Sequence, residues 1–262
     1  MMSSIITSSS NSKIKLTRAL QSRSRARQAE GAFAIEGVRL VKEALRASWP
    51  IQFVLYDQTL SDRGVKLLES LQDKTGMTVD EVTPELMAEI SDTETPQGIL
   101  AVLGQNHPAL PEHPSFIVII DQVRDPGNLG TLLRTAEAAG VDGVYLAPST
   151  ADAFAPKVLR AGMGAHFYLP IIEKTWSEIQ GLLDRLPIFL AVSVGGVPLW
   201  EADFQQPCAL LIGGEAFGVS PEGERSATHR ITIPMHGRAE SLNAGVAGAI
   251  LMAEVLRQRQ TG

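Results

Sequence analysis

Residues 115–140 read SFIVIIDQVRDPGNLGTLLRTAEAAG. The opening SFIVIID is a near-continuous apolar run, which suits a strand buried on both faces of a parallel sheet. LGTLLRTAEAAG predicts a helix ending at Gly140, and the VDGVYLA that follows predicts the next strand. A strand, a polar turn, a helix and a further strand make a β/α unit, so the class is α/β.

The alternation continues toward the C-terminus. IFLAVSV, CALLIGG and RITIP predict three more strands, each ending where polar or glycine residues begin. The last helix is expected from about Asn243 to Arg257, and its first turns, NAGVAGAIL, are almost entirely small. Glycine inside a helix costs roughly 1 kcal/mol relative to alanine. Gly245 and Gly248 therefore predict that something approaches this helix closely.

Toward the N-terminus, GQNHPALPEHP carries three prolines in eleven residues and reads as an interdomain linker. Before it lies a second β/α set. AFAIEG, IQFVLY, MTVDEV and QGILAVL are extended, whereas VRLVKEALRAS and DRGVKLLESLQDK are helical. TPELMAEIS is a further helix, with Thr83 as N-cap and Pro84 at the first helical position. The expected organisation is a polar, frayed lead-in over 1–12, a smaller α/β domain over 13–105, a linker over 106–114 and a larger α/β domain over 115–262.

Composition narrows the class. The chain has 262 residues, 44% apolar and 20% charged, as in a soluble globular protein. No apolar run approaches the roughly 18 residues of a membrane span, so no membrane association is expected. Cys208 is the single cysteine, which fits a reducing, cytoplasmic compartment. The histidines show no zinc-type spacing, and no metal is expected. Net charge is −6, yet residues 1–46 carry nine basic side chains against three acidic ones. Lys13, Lys15, Arg18, Arg23, Arg25, Arg27 and Arg39 within it form a candidate phosphate-binding strip, the alternative being a solvated helix face.

Ligands of open α/β sheets bind outside the carboxyl ends of strands. Three such ends carry polar residues: DQVRDPGN with Asn128 and then Arg134, LLIGGEAFG with Glu215, and ITIPMHGRAESLN with Ser241 and Asn243. Each alone could be a cap or a turn. No phosphate-binding G-x-x-x-x-G-K-[ST] is present, no G-x-G-x-x-G follows the first strand of either domain, and no G-x-S-x-G elbow exists.

Taken together and in this order, the three segments resemble the SpoU/TrmH family of RNA ribose 2′-O-methyltransferases, of the SPOUT superfamily. The resemblance covers about residues 115–258. FAIEGVRLVKEAL is similar to the opening of the L30e-like substrate-binding domain of many ribosomal-RNA members. The resemblance implies a parallel sheet with a deep trefoil knot, a homodimer with its active site at the subunit interface, and S-adenosylmethionine as cofactor. By the same resemblance Asn128, Arg134, Glu215, Ser241 and Asn243 are the catalytic positions. The cofactor loops would lie at Ser193, Val194 and Gly195, at Ile212, Gly213, Gly214 and Glu215, and at Ile233, Pro234, Met235, Ser241 and Leu242. Gly214 departs from the asparagine that many members place before the glutamate. Ribosomal RNA is the substrate the N-terminal domain implies. A tRNA methyltransferase, or an RNA-binding assembly protein that has lost catalysis, is the alternative.

Overall fold

The computed structural model describes residues 5–75, 77, 79–183, 186–215 and 217–261. Residues 1–4 of the expected lead-in, Thr78 of the expected strand MTVDEV, Ala216 of the second segment and Gly262 lie outside these. In chain order the elements are α1 (Ser12–Ser22), α2 (Ser24–Glu30), β1 (Ala32–Glu36), α3 (Val38–Arg46), β2 (Ile51–Tyr56), α4 (Asp62–Thr75), β3 (Val79–Glu81), α5 (Pro84–Ile90) and β4 (Ile99–Gly104). There follow β5 (Phe116–Asp121), α6 (Pro126–Ala138), β6 (Gly143–Leu146), α7 (Pro156–Gly162), β7 (Ile171–Glu173), α8 (Trp176–Leu182), β8 (Ile188–Ala191), β9 (Val197–Pro198), β10 (Cys208–Gly213), α9 (Pro221–Ser226), β11 (His229–Thr232) and α10 (Ala244–Thr261).

The chain forms two compact units, Met1–Asn106 with Phe154–Phe167, and His107–Ala153 with Tyr168–Gly262. In the first, a four-stranded sheet of order β1-β4-β2-β3 is antiparallel except for the parallel β2–β3 pair. Ile14, Leu20, Leu55, Met87, Ile90 and Leu100 fill its core. Thr83 caps α5 as expected, its side chain accepting from the Leu86 amide.

Two features of this unit differ from the sequence expectation. The lead-in is anchored where described, because Ile6 bridges to Val82 and exchanges backbone hydrogen bonds with Glu81 and Thr83. Segment 154–167, expected in the larger domain, packs instead with the first unit. Aromatic burial explains it: Phe154 lies against Phe33 at 4.8 Å, and Phe167 meets the Trp49 ring at 5.3 Å and accepts its indole N–H at 3.0 Å.

The second unit is a seven-stranded, all-parallel sheet of order β7-β6-β5-β10-β8-β11-β9. All six residues of β5 are buried, as a central strand covered on both faces requires. The strand order turns back between β5 and β10, whose ends meet at the Asp121–Gly213 pair. This switch point leaves the loops after β5, β8, β10 and β11 at one edge.

Helix α6 starts at Pro126, capped by the Asp125 side chain, which accepts the Asn128 amide at 2.8 Å. Asn128 is thus not the cap, and its own side chain is available for other work. Helix α10 packs on α6, which answers the question its glycines raise. A Cβ on Gly245 would lie 3.1 Å from Thr131 Cγ2, and one on Gly248 only 2.1 Å from Leu132 Cδ2 and 3.1 Å from Ile212 Cδ1. Leu132 and Ile212 are themselves buried and have little room to yield. Gly248→Val should destabilise the protein by about 1–3 kcal/mol through overpacking, read as a lower urea midpoint at unchanged slope.

Candidate active site

The three polar strand ends converge on one atom. Glu215 Oε1 accepts Asn128 Nδ2 at 3.0 Å, Asn243 Nδ2 at 2.6 Å and the Ala244 backbone amide at 3.0 Å. Asn243 Nδ2 also donates to Asn128 Oδ1 at 2.8 Å, and Asn243 Oδ1 accepts the Val246 amide at 3.2 Å. A carboxylate that gathers several N–H donors is charge-assisted and well oriented. The start of α10 contributes its free amide and its dipole to the same negative charge.

The loop that carries Glu215 is fixed at both ends by Asp121, a residue not singled out in the sequence. Gly214 donates its amide to the Asp121 backbone oxygen at 3.0 Å, and Ser220 donates its amide to Asp121 Oδ2 at 2.6 Å. Asp121 is fully buried, and its position at the end of an apolar strand beside the switch point was the available signal. The structure also explains the glycine before the glutamate. A Cβ on Gly214 would sit 2.2 Å from the Gln122 carbonyl oxygen, so asparagine does not fit this backbone.

Next to the junction lies a cavity of about 390 Å³, within the usual range for small-ligand pockets. Of the expected cofactor positions, Ser193, Ile212, Gly213, Gly214, Glu215, Ile233, Met235, Ser241 and Leu242 line it. Val194, Gly195 and Pro234 do not; Val194 is 81% exposed on the loop after β8. The wall adds Ala244 and Ala247 from the small-residue start of α10, together with Val219, Leu251 and the carboxylate-bearing Glu224, which the sequence did not identify. Glu224 pairs with Arg230. The small residues of α10 therefore have two uses, the glycines admitting α6 while Ala244 and Ala247 face the cavity.

Arg134 stands apart from this group. It is exposed on α6, six residues beyond Asn128 and hence about 9 Å further along the axis, and it does not line the cavity. Ser241 lines the cavity without joining the carboxylate junction.

The basic strip is thinner than expected. Arg27 is buried at 5% exposure and donates to the Leu20 carbonyl at 2.5 Å, so it serves the joint between α1 and α2 and not a surface. Lys13 is paired with Asp80 and Arg18 with Glu89. Lys15, Arg23, Arg25 and Arg39 are exposed.

A parallel sheet with a polar junction and a nucleotide-sized cavity at its switch point defines an α/β ligand-binding fold of the enzyme type. Comparison with known proteins gives the particular family. The model of the SpoU rRNA Methylase family matches residues 115–253, and that of an MRM3-like substrate binding domain matches residues 11–101. The chain belongs to the SpoU rRNA methylase family. It is 34% identical over 250 residues to the 23S rRNA (guanosine(2553)-2′-O)-methyltransferase RlmP of Bacillus subtilis, covering 94% of this chain and 97% of that one. The crystal structure of the SpoU methyltransferase AviRb from Streptomyces viridochromogenes with AdoMet superposes with a TM-score of 0.86 at 29% identity, covering 96% of this chain and 99% of that one. The AdoMet-bound rRNA methyltransferase from Sinorhizobium meliloti gives 0.84 at 32% identity and 97% coverage of both.

If the exposed part of the strip meets phosphates, replacing Lys15, Arg23 and Arg25 by alanine lowers the slope of log affinity for RNA against log salt by about 2 to 3. Arg27→Ala is expected instead to lower the melting temperature. Filter binding across a salt series, with a thermal melt for each variant, checks both.

Proposed function

We propose that the chain methylates a ribose 2′-hydroxyl of large-subunit ribosomal RNA, with S-adenosylmethionine as donor. The observation that carries this is the convergence of Asn128, Glu215 and Asn243 on one carboxylate oxygen that also borders the cavity. The family membership and the names of the relatives support the reaction. The match of residues 11–101 to a substrate-binding domain supports ribosomal RNA over tRNA. The reading of an assembly protein without catalysis is disfavoured, because each proposed catalytic side chain is present.

The cavity suits the cofactor. Leu190, Ile212, Ile231 and Leu251 offer apolar walls for an adenine, while the glycine-rich loop at 213–214 brings backbone groups close to the ligand. When bound, AdoMet supplies an electrophilic methyl on a sulfonium. A neutral hydroxyl attacks it poorly, so the chain must stabilise developing negative charge on the ribose oxygen. Glu215 holds both amides, leaving Asn128 and Asn243 to orient the ribose. Arg134 carries a guanidinium, a donor-only cation with no acceptor for a proton, so its role is to stabilise negative charge developing on the ribose oxygen.

Arg134 lies outside its own chain's cavity, which supports the expected homodimer in which it serves the partner's site. The apolar Val246 and Ile250, 48% and 39% exposed one turn apart on α10, offer a surface for that contact. The trefoil knot is part of the same proposal. So is a cytoplasmic location; no helix among the described residues is long and apolar enough to cross a membrane. The proposed chemistry uses no metal.

The test is methyl transfer from radiolabelled AdoMet to purified ribosomal RNA lacking the modification. Label should appear in alkali-resistant dinucleotides, because a 2′-O-methyl blocks cleavage. Arg134→Ala should lower kcat by about 100- to 1,000-fold while AdoMet affinity holds within a few-fold. A rate that survives the substitution removes Arg134 from the mechanism.

A further inference from the structure

The loops after β5 and β10 meet a second time beside the Glu215 junction. Arg124, two residues before α6, places its guanidinium carbon 4.8 Å from the centre of the Phe217 ring. Phe217 follows Glu215 by two residues, in a turn closed by the bridge between Gly214 and Gly218. The ring is 65% exposed and Arg124 is exposed too, and neither lines the cofactor cavity. Burying a phenylalanine ordinarily stabilises a fold, so holding this one in water has no benefit for the isolated chain. The contact with Arg124 does fix the ring, because cation and aromatic face attract. One side of the ring is engaged and the rest is open.

An enzyme that acts on a ribose must also hold the base attached to it or its neighbour. Unpaired bases of RNA are held mainly by stacking on aromatic rings, which works for every base because each has a π face. A cation behind the ring adds attraction for the flanking phosphate. The ring lies two residues along the chain from the carboxylate that positions Asn128 and Asn243. We propose that Phe217, held by Arg124, is the platform on which an unpaired base of the RNA substrate stacks while its ribose is presented to the junction. This rests on the methyltransferase reading above.

The test uses full-length protein, saturating AdoMet and ribosomal RNA lacking the modification. Phe217→Ala should raise KM for RNA by about 5- to 150-fold, the loss expected for one stacked base, with kcat and AdoMet affinity within a few-fold of wild type. Phe217→Trp should restore KM, and Phe217→Leu should not. Because the ring is uncharged, the salt dependence of RNA binding should stay the same in Phe217→Ala and flatten in Arg124→Ala. An unchanged KM in Phe217→Ala, or full rescue by leucine, overturns the stacking role while leaving the methyltransferase reading intact. Lost AdoMet affinity in Phe217→Ala also overturns it, since the ring would then be supporting the loop. A wild-type chain that transfers no methyl to RNA overturns both.

Discussion

A single carboxylate oxygen holds the site together. Glu215 Oε1 takes three N–H groups, two from the side chains of Asn128 and Asn243 and one from the first residue of α10. These donors lie 87, 28 and 29 residues from Glu215 in sequence, so no local rule brings them together. The parallel sheet does, by turning back between β5 and β10 and delivering the loops that follow its strands to one edge. Hydrogen bonds to a charged acceptor are individually stronger than neutral ones, at about 1.5–3 kcal/mol each. Three on one oxygen make the junction a defined geometry and not a loose meeting of loops.

The supports of that geometry are backbone-close. Asp121 ties both ends of the Glu215 loop, and Gly214 is the residue that lets the loop pass the Gln122 carbonyl. Gly245 and Gly248 let α10 rest on α6, which carries Asn128 at one end and Arg134 further along. Helix propensity is given up at those glycines, and the gain is that both asparagines are held by elements in direct contact. The cavity beside them is walled by residues of the same loops and by the alanines of α10.

Much of this was legible in the sequence. The apolar runs at 116–121 and 208–213 suited buried strands and form them, and Thr83-Pro84 marked the start of α5. The polar strand ends marked where a ligand would gather, and the family resemblance singled out Asn128, Arg134, Glu215, Ser241 and Asn243 there, of which Asn128, Glu215 and Asn243 meet at one junction. What the sequence hid depends on long-range packing. Nothing in the periodicity of 154–167 says which of two cores will take Phe154 and Phe167. Arg27 lies in the same basic run as Arg23 and Arg25, yet the joint between α1 and α2 buries it against the Leu20 carbonyl. Asp121 reads as the polar end of a strand, and its task appears only when Ser220 arrives from 99 residues away. Val194 and Pro234 fall outside the cavity because being in a loop fixes neighbourhood but not side-chain direction.

The claim that one carboxylate coordinates both asparagines for methyl transfer is tested most directly by a double-mutant cycle on kcat with ribosomal RNA. Asn128→Ala, Asn243→Ala and the double variant are compared with wild type. Groups that act as a unit give grossly non-additive losses, so the double variant should lose little more than the more damaging single one. Losses that multiply would mean that the two asparagines act independently, and would contradict a site organised around Glu215.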